Sequence, residues 1–204
     1  MFAPLRNSVV IPHRKDRESW FLQNCLPQVI DNNPLEIIIE DWDGGACEKR
    51  NVGATKATQP YLMFVDDDSY LYEFALIEML RALEANPDST FAYSDARHVM
   101  YQGIPYPNGN GIRKAMPWNI ESLKRGNYVE TMSLMRREAF VGFDSTIKRF
   151  QDWDLWLTLA SMGHRGVYIP KTLFELHHFD IGISASVPFE ESLEAIRLKH
   201  GIQA

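Results

Sequence analysis

Long hydrophobic runs, paired cysteines and an excess of basic residues are all missing from this sequence of 204 residues. The longest apolar runs, such as residues 61–65, are far shorter than the roughly 20 residues that cross a bilayer. The two cysteines, Cys25 and Cys47, lie too far apart for a CxxC redox or zinc motif. The formal net charge of −6 repels phosphate backbones and anionic lipids. The sequence therefore predicts no integral membrane segment and no nucleic-acid partner.

Several short functional motifs are missing as well. The sequence contains no Walker A loop, GxGxxG, HExxH or GxSxG motif, which removes the strongest routes to an NTPase, a dinucleotide-binding enzyme, a zinc protease or a serine hydrolase. The N-terminal residues also lack the basic region and the small-residue cleavage site of a signal peptide. We therefore expect a cytoplasmic protein.

What the sequence does contain is a regular alternation of strand and helix patterns without a linker, which predicts a single domain. Strand patterns occupy residues 8–12, 35–39, 61–65, 91–93, 129–135 and 166–169, and helical patterns occupy 18–30, 48–58, 72–85, 153–162 and 189–200. Pro27 predicts a kink or an early end of the first helix. Residues 103–114, rich in glycine, proline and asparagine, predict an exposed hairpin or a mobile loop. The alternation predicts an α/β fold with a mostly parallel central sheet flanked by helices.

Polar residues follow each of the first three predicted strands, where open parallel sheets bind their ligands. The first strand ends at Pro12, His13 and Arg14, the second is followed by the acidic turn 40–45, and the third is followed by Asp66, Asp67 and Asp68. We expect these three groups to line one edge of the sheet. Acids beside bases at such an edge suit a ligand that is both anionic and metal-bound.

The run of three aspartates is the sharpest signal in the sequence. Adjacent carboxylates repel one another, and a cation among them, such as a divalent metal ion, removes that cost. The alternative is helix capping by Asp68 or Ser69 at the start of the predicted helix near Tyr72. Capping needs only one acid, so the pattern favours a metal site.

A second acidic pair, Asp152 and Asp154, falls in the first turn of an apolar helix. The helix dipole alone favours acids at this place. A rigidly held, partly desolvated carboxylate facing a cleft is also suited to general-base catalysis. His177 and His178 lie in a predicted strand, so that their side chains point to opposite faces and at most one of them reaches a site.

Taken in order, these segments resemble glycosyltransferase family 2, whose members are mostly inverting nucleotide-sugar transferases. The resemblance spans residues 8–184 and rests on SVVIP, LEIIIED, KRNVGA, YLMFVDDD, FAYSD, LMRREAF, VGFD, QDWDLWLTLA and HHFDIGIS. It implies a GT-A fold, a Rossmann-like sheet in one domain, with a nucleotide-binding half at about 1–95 and an acceptor-binding half at about 96–204. The order and the spacing of the segments are more specific than any one of them.

The resemblance also implies roles for individual residues. Asp152 matches the catalytic base, and the metal ligands would be Asp66, Asp68 and His178. The residues implied in substrate binding are Pro12, His13, Arg14, Asp41, Arg50, Asn51, Asp66, Asp67, Trp153 and Asp154. The implied activity is a metal-dependent, inverting transfer of a hexose from a nucleoside-diphosphate donor, with a UDP-sugar favoured, to a hydroxyl of a glycan, lipid-linked or other acceptor. The implied cofactor is Mn²⁺ or Mg²⁺.

Three positions depart from the family pattern. Gln151 stands where the family usually has Glu before the base, residues 13–17 form a cationic cluster in the first loop, and Trp42 replaces a common second acid. The Trp42 ring would either stack on the base or fill the wall of its pocket. Three alternatives to an enzyme of this family remain: a sugar-nucleotide or carbohydrate-binding protein on the same fold, a nucleotidyltransferase, and an α/β domain whose acids only cap helices.

Overall fold

The computed structural model describes residues 5–100, 111–179 and 187–203, without the side chain of residue 100. Most of the predicted loop 103–114 lies outside these residues. Among the described helices none is both long and apolar enough to cross a membrane.

The first half of the chain alternates strands and helices, as its sequence pattern predicts. Strand β1 (Leu5–Pro12) leads into a helical stretch made of a 3₁₀ turn (Lys15–Arg17), α1 (Glu18–Trp20), a π turn (Phe21–Cys25) and α2 (Leu26–Asp31). Then follow β2 (Pro34–Glu40), α3 (Ala46–Lys56) and β3 (Tyr61–Phe64). Pro27 does not end the helix, because the wider π turn immediately precedes it.

The second half begins with β4 (Ser69–Leu71), α4 (Ala75–Ala85), β5 (Phe91–Met100) and β6 (Ile112–Arg113). It continues with α5 (Ile120–Arg125), β7 (Leu134–Arg136), a 3₁₀ turn (Arg137–Ala139), α6 (Gln151–Ser161), β8 (Gly166–His178) and α7 (Phe189–His200). The predicted strand 129–135 is therefore wrong over most of its length. Side chains satisfy the backbone of Val129 in place of a neighbouring strand: Asn127 Oδ1 accepts from its N–H at 3.1 Å, and Trp156 Nε1 donates to its carbonyl at 3.0 Å.

All the described strands form one sheet in the order β2-β1-β3-β7-β5-β8-β4, with β6 paired to β5. The parallel pairs β1–β2, β1–β3 and β5–β8 contain most of the paired residues. Strand β7 runs antiparallel between β3 and β5 and so joins the two halves of the sheet. The predicted α/β fold, with helices around a mostly parallel sheet, is confirmed.

Alternate residues of the central strands supply a separate core on each face of the sheet. Val9 and Ile11 of β1 pack in the core beneath the first helical stretch and α4, whereas Val10 packs in the core beneath α3 and α6. Strand β1 is therefore buried on both faces. The polar residues that follow it can form a site only beyond its carboxyl end.

The aspartate run does not cap a helix. Helix α4 starts at Ala75, later than the sequence predicts, and Phe74 occupies its N-cap position with a positive φ of 67°. The short strand β4 separates the aspartates from α4 and pairs with β8. The capping alternative for Asp68 and Ser69 is therefore wrong.

Candidate functional site

Asp67 fastens the loop after β1 to the end of β3. Its side chain is buried, and its Oδ2 accepts a hydrogen bond from the backbone N–H of Arg14 at 2.6 Å and lies 3.1 Å from His13 Nδ1. Its Oδ1 accepts from Arg17 at 2.9 Å. The His13 ring is also buried, 2.5 Å from Glu18 and stacked on Phe21. The sequence brings His13 and Asp67 together as predicted, but both side chains are occupied by contacts within the protein.

Asp66 and Asp68 each accept a hydrogen bond from an arginine at one carboxylate oxygen. Arg50 donates to Asp66 Oδ1, and Arg17 donates to Asp68 Oδ2 at 2.5 Å. Burial, and then the charge of Asp66, raise the pKa of Asp68. Two arginines therefore supply part of the positive charge that three adjacent carboxylates demand.

The predicted metal site of Asp66, Asp68 and His178 is not assembled, because the His178 ring contacts another histidine instead of the aspartates. Its Nε2 lies 2.8 Å from His98 Nδ1 and the two rings are stacked. Among the described residues no group of three histidine, cysteine or acidic side chains is placed to hold a metal ion. Strand alternation explains the failure, because β8 directs consecutive side chains to opposite faces.

The two aspartates alone still fit a divalent cation that takes its other ligands from a bound diphosphate. Within the described part of the chain, Asp66 Oδ2 and Asp68 Oδ1 accept no hydrogen bond. Carboxylate oxygens are ligands that Mg²⁺ and Mn²⁺ prefer. Mg²⁺ in particular is commonly held by one or two carboxylates together with substrate phosphates.

Arg50 connects the aspartates to the second acidic pair. The same guanidinium that donates to Asp66 also donates to Gln151 Oε1 at 3.1 Å, and its side chain is almost completely buried. Gln151 is the first residue of α6 and Asp152 is the second. Although Arg50 is predicted to approach a nucleotide, its contacts in the structure place the start of α6 beside the end of β3.

Asn51, the next residue of α3, strengthens the same connection. Its Nδ2 donates to the Phe143 carbonyl and its Oδ1 accepts from the Phe143 N–H, both at 2.8 Å. The side chain of this predicted nucleotide ligand therefore holds the loop that precedes α6. Two consecutive residues of α3 thus position α6 relative to the aspartates.

Asp152 has the environment of a general base. Its Oδ2 accepts from Asn127 Nδ2 at 2.8 Å, and its Oδ1 accepts from the backbone N–H of Trp153 at 2.9 Å. Burial, and then the negative charge of Glu130, raise its pKa to about 6. A carboxylate with such a pKa is ionised at neutral pH, and it is a stronger base than an ordinary aspartate.

The neighbours of Asp152 form a polar network that sequence reasoning missed. Arg113 donates to Glu130 at 2.6 Å and to the carbonyl of Asn127, and His98 Nε2 lies 3.2 Å from the same Glu130 oxygen. Glu130 lies in the predicted strand 129–135 and Asn127 lies just before it, so no local signal marks these residues. Only the approach of β5, β6 and α6 reveals them.

Trp153 and Asp154 do not face the open edge of the sheet. Both are buried, and Trp153 Nε1 donates to the Leu123 carbonyl at 2.7 Å. Asp154 accepts from Lys199 at 2.9 Å and lies 2.7 Å from His200 Nε2. These two predicted substrate contacts therefore anchor α6 in the core and attach α7 to it.

An open cleft of about 300 Å³ lies beyond the carboxyl ends of β1 and β2. It is lined by Arg14, Lys15, Asp16, Asp41, Trp42, Asp43, Gly44 and Lys49. Pro12 is buried at the end of β1 and is not among the residues that line this cleft. The backbone N–H of Arg14 is bonded to Asp67, so the cleft adjoins the aspartate run. The predicted residues that reach open space here are Arg14 and Asp41.

Known proteins share the sequence pattern and the fold of this chain. Residues 16–142, which are more than half of the chain, match the family model "Glycosyl transferase family 2". A curated relative, an "Uncharacterized glycosyltransferase" from Haemophilus influenzae, is 27% identical over 134 residues. The match covers 62% of this chain and 44% of that protein.

Solved structures with the same fold include the S. aureus protein TarS. Residues 1–349 of TarS in complex with UDP-GlcNAc superpose with a TM-score of 0.69 at 14% identity, covering 95% of this chain and 65% of that one. The same TarS segment in complex with UDP gives a TM-score of 0.59 at 14% identity, covering 86% of this chain and 61% of that one. At this identity the likeness shows the fold alone. The chain therefore spans less than half of the curated relative and about two fifths of TarS, of which it covers 39%.

Proposed function

Because the chain belongs to glycosyl transferase family 2, we propose that it transfers a sugar from a nucleoside-diphosphate donor to an acceptor hydroxyl, with inversion at the anomeric carbon. The observation that carries this proposal is the Arg50 bridge. It joins Asp66 at the end of β3 to Gln151 at the start of α6, which supports a single site that contains the aspartates and Asp152. A donor and an acceptor can be held between two such groups.

The donor is best placed in the cleft at the ends of β1 and β2, with its diphosphate toward Asp66 and Asp68. Arg14 and Lys15 line this cleft; the Arg14 guanidinium is paired with Asp16 at 2.6 Å, and Lys15 adds a positive charge that attracts phosphate. UDP-GlcNAc and UDP are bound in TarS structures of the same fold. A UDP-sugar is therefore the donor class that we propose to test first.

Asp152 is proposed to act on the acceptor. Its carboxylate would accept the proton of the hydroxyl that attacks the anomeric carbon, while the bond to the diphosphate breaks on the opposite side. One displacement of this kind inverts the configuration. Asn127 holds the carboxylate in one orientation, because its amide is fixed in turn by the N–H of Val129 at 3.1 Å.

Asp66 and Asp68 would hold Mn²⁺ or Mg²⁺ through the oxygens that the arginines leave open. Bound there, the cation would stabilise the negative charge that develops on the leaving diphosphate. Arg17 and Arg50 keep the two carboxylates in place, since each donates to one oxygen of its partner.

The two neighbours of Asp152 should shift the pH dependence of transfer in opposite directions. With the Asp152 pKa at about 6, the rate should fall as the pH drops through this value, because a protonated carboxyl cannot accept a proton. Asn127→Ala removes a hydrogen bond to the charged form of Asp152 and should therefore raise its pKa. The acidic limb of the profile, where the rate falls, should move up by about one pH unit. Glu130→Gln removes a like charge and should lower it.

This pair is checked by the pH profile of kcat/KM for the wild type and both variants. A purely structural role of Asn127 and Glu130 would lower the rate without moving the acidic limb. Shifts in the same direction, or no shift in either variant, would contradict the assignment of Asp152 as the base.

The donor site is tested by thermal unfolding with UDP, GDP, dTDP and CDP, each with and without Mn²⁺. A ligand that binds the folded state raises the melting temperature by roughly 5–10 °C at about 100 times its Kd in a domain of this size. We expect one nucleotide, with UDP favoured, to do so and to need the metal ion. If none of the four changes the melting temperature, the proposed donor site is wrong.

A further inference from the structure

Trp42 presents an exposed aromatic ring beside the aspartate site. It lies in the turn that follows β2, is 38% exposed and lines the cleft together with Asp41 and Arg14. A ring that only filled the wall of the cleft would be covered by its neighbours. The exposed part of this ring is instead available to a ligand.

The ring is held firmly although it is exposed. Its Nε1 donates to Glu40 Oε2 at 2.9 Å, and the Glu40 carboxylate is buried and paired with Lys56 at 2.6 Å. The six-membered part of the ring covers Gly44, where a β-carbon would collide with it. A side chain at position 44 would displace the ring from its present place, so the ring packs directly on the backbone of the turn.

We propose that Trp42 is the surface on which the nucleobase of the donor stacks. Every base has a π face, and a rigid aromatic ring binds it with little loss of side-chain entropy. This inference rests on the proposed function, because it assumes a nucleotide donor in the cleft.

The surroundings of Trp42 suit the rest of a nucleotide. Asp41 and Asp43 border the ring and offer carboxylate oxygens to N–H groups on the edge of a base. Arg14 and Lys15 line the same cleft, and the N–H of Arg14 is bonded to Asp67 in the aspartate run. A nucleotide whose base lies on Trp42 can therefore extend its diphosphate past these cations toward Asp68.

The experiment is calorimetric titration of the wild type, Trp42→Ala and Trp42→Phe with UDP and with inorganic pyrophosphate, all in the presence of Mn²⁺. We expect Trp42→Ala to bind UDP about tenfold more weakly or worse, as losses of a base–aromatic stack do. Its affinity for pyrophosphate should be unchanged, because pyrophosphate has no base. Trp42→Phe should recover most of the UDP affinity. Phe74→Ala, which removes another exposed ring, is the matched control and should bind both ligands as the wild type does.

The outcomes separate this inference from the proposed function. If the wild type binds UDP and Trp42→Ala binds it equally well, the stacking role is wrong and the donor site stands. If Trp42→Ala loses affinity for pyrophosphate in the same proportion, the variant has disturbed the whole cleft and the stacking role is again overturned. If the wild type binds no nucleoside diphosphate, the proposed function fails and the inference fails with it.

Discussion

Replacing Asp152 with asparagine should reduce sugar transfer by a factor of about 10²–10⁴, the usual contribution of a general base. Asparagine has nearly the same shape, and its carbonyl oxygen can still accept from the backbone N–H of Trp153. It cannot accept a proton at any useful pH. The rate of UDP release from a UDP-sugar measures the loss, with water in place of the unidentified acceptor.

Donor affinity should be preserved in this variant, since Asp152 acts only on the attacking group. Asp88→Asn makes the same chemical change at an exposed surface ion pair with Arg165 and should leave both the rate and the affinity unchanged. Asp152→Asn with the full rate of the wild type would remove this residue from the chemistry. A parallel loss of donor binding would give it a different role.

Replacing Asp68 with alanine should weaken Mn²⁺-dependent binding of UDP by about tenfold or more, since even residues that only support a metal ligand contribute that much. Asp68 has one oxygen that no described residue uses, so its loss removes a ligand while Arg17 keeps its partner Asp67. Titration with UDP in Mn²⁺ and in EDTA measures the effect. The difference between the two conditions should largely vanish in the variant.

Replacement of the adjacent Asp67 should affect stability, whereas replacement of Asp68 should affect metal-dependent binding. All of its hydrogen bonds are within the protein, to the first loop, so Asp67→Asn should lower the free energy of unfolding by about 1–3 kcal/mol. The folded protein should keep a metal-dependent affinity for UDP. Metal-dependent binding that survives in Asp68→Ala and disappears in Asp67→Asn would reverse the two assignments.

Much of the fold is readable in the sequence because its strands and helices differ in length and in hydrophobic period. Strand β1 and helix α7 follow their patterns closely. The failure at residues 129–133 has a physical cause. The segment has the pattern of a strand, but the backbone groups of Val129 are satisfied by Asn127, two residues earlier, and by Trp156 of α6, whose approach the pattern cannot predict.

The sequence predicts where the site lies better than it predicts which residues form it. The ends of consecutive parallel strands must meet at one edge, and this rule places the aspartates beside the first loop. It does not tell which polar groups remain available. His13, Asn51 and Asp154 have the chemistry of ligand-binding residues, but each is occupied by a partner remote in sequence.

The sequence also leaves the roles of Trp42 and Arg50 undecided, because it does not show the contacts of their side chains. From the sequence alone Trp42 is either a wall residue or a stacking surface, and its exposure and its bond to Glu40 support the stacking proposal. Arg50 is a plausible phosphate ligand until its contacts with Asp66 and Gln151 are seen. The exposure of Trp42 and the contacts of Arg50 depend on the three-dimensional structure, whereas a sequence motif records only local spacing.

The central claim is that the aspartates and Asp152 form one site that cleaves a nucleotide-sugar bond. The most direct test is to measure nucleoside-diphosphate release by the wild-type protein from UDP-, GDP- and dTDP-sugars in Mn²⁺, beginning with UDP-GlcNAc. We expect release from at least one donor that EDTA suppresses and that Asp152→Asn reduces by a factor of about 10²–10⁴. Metal-dependent nucleotide binding without release from any of these donors would contradict it and would make the protein a sugar-nucleotide binder without turnover.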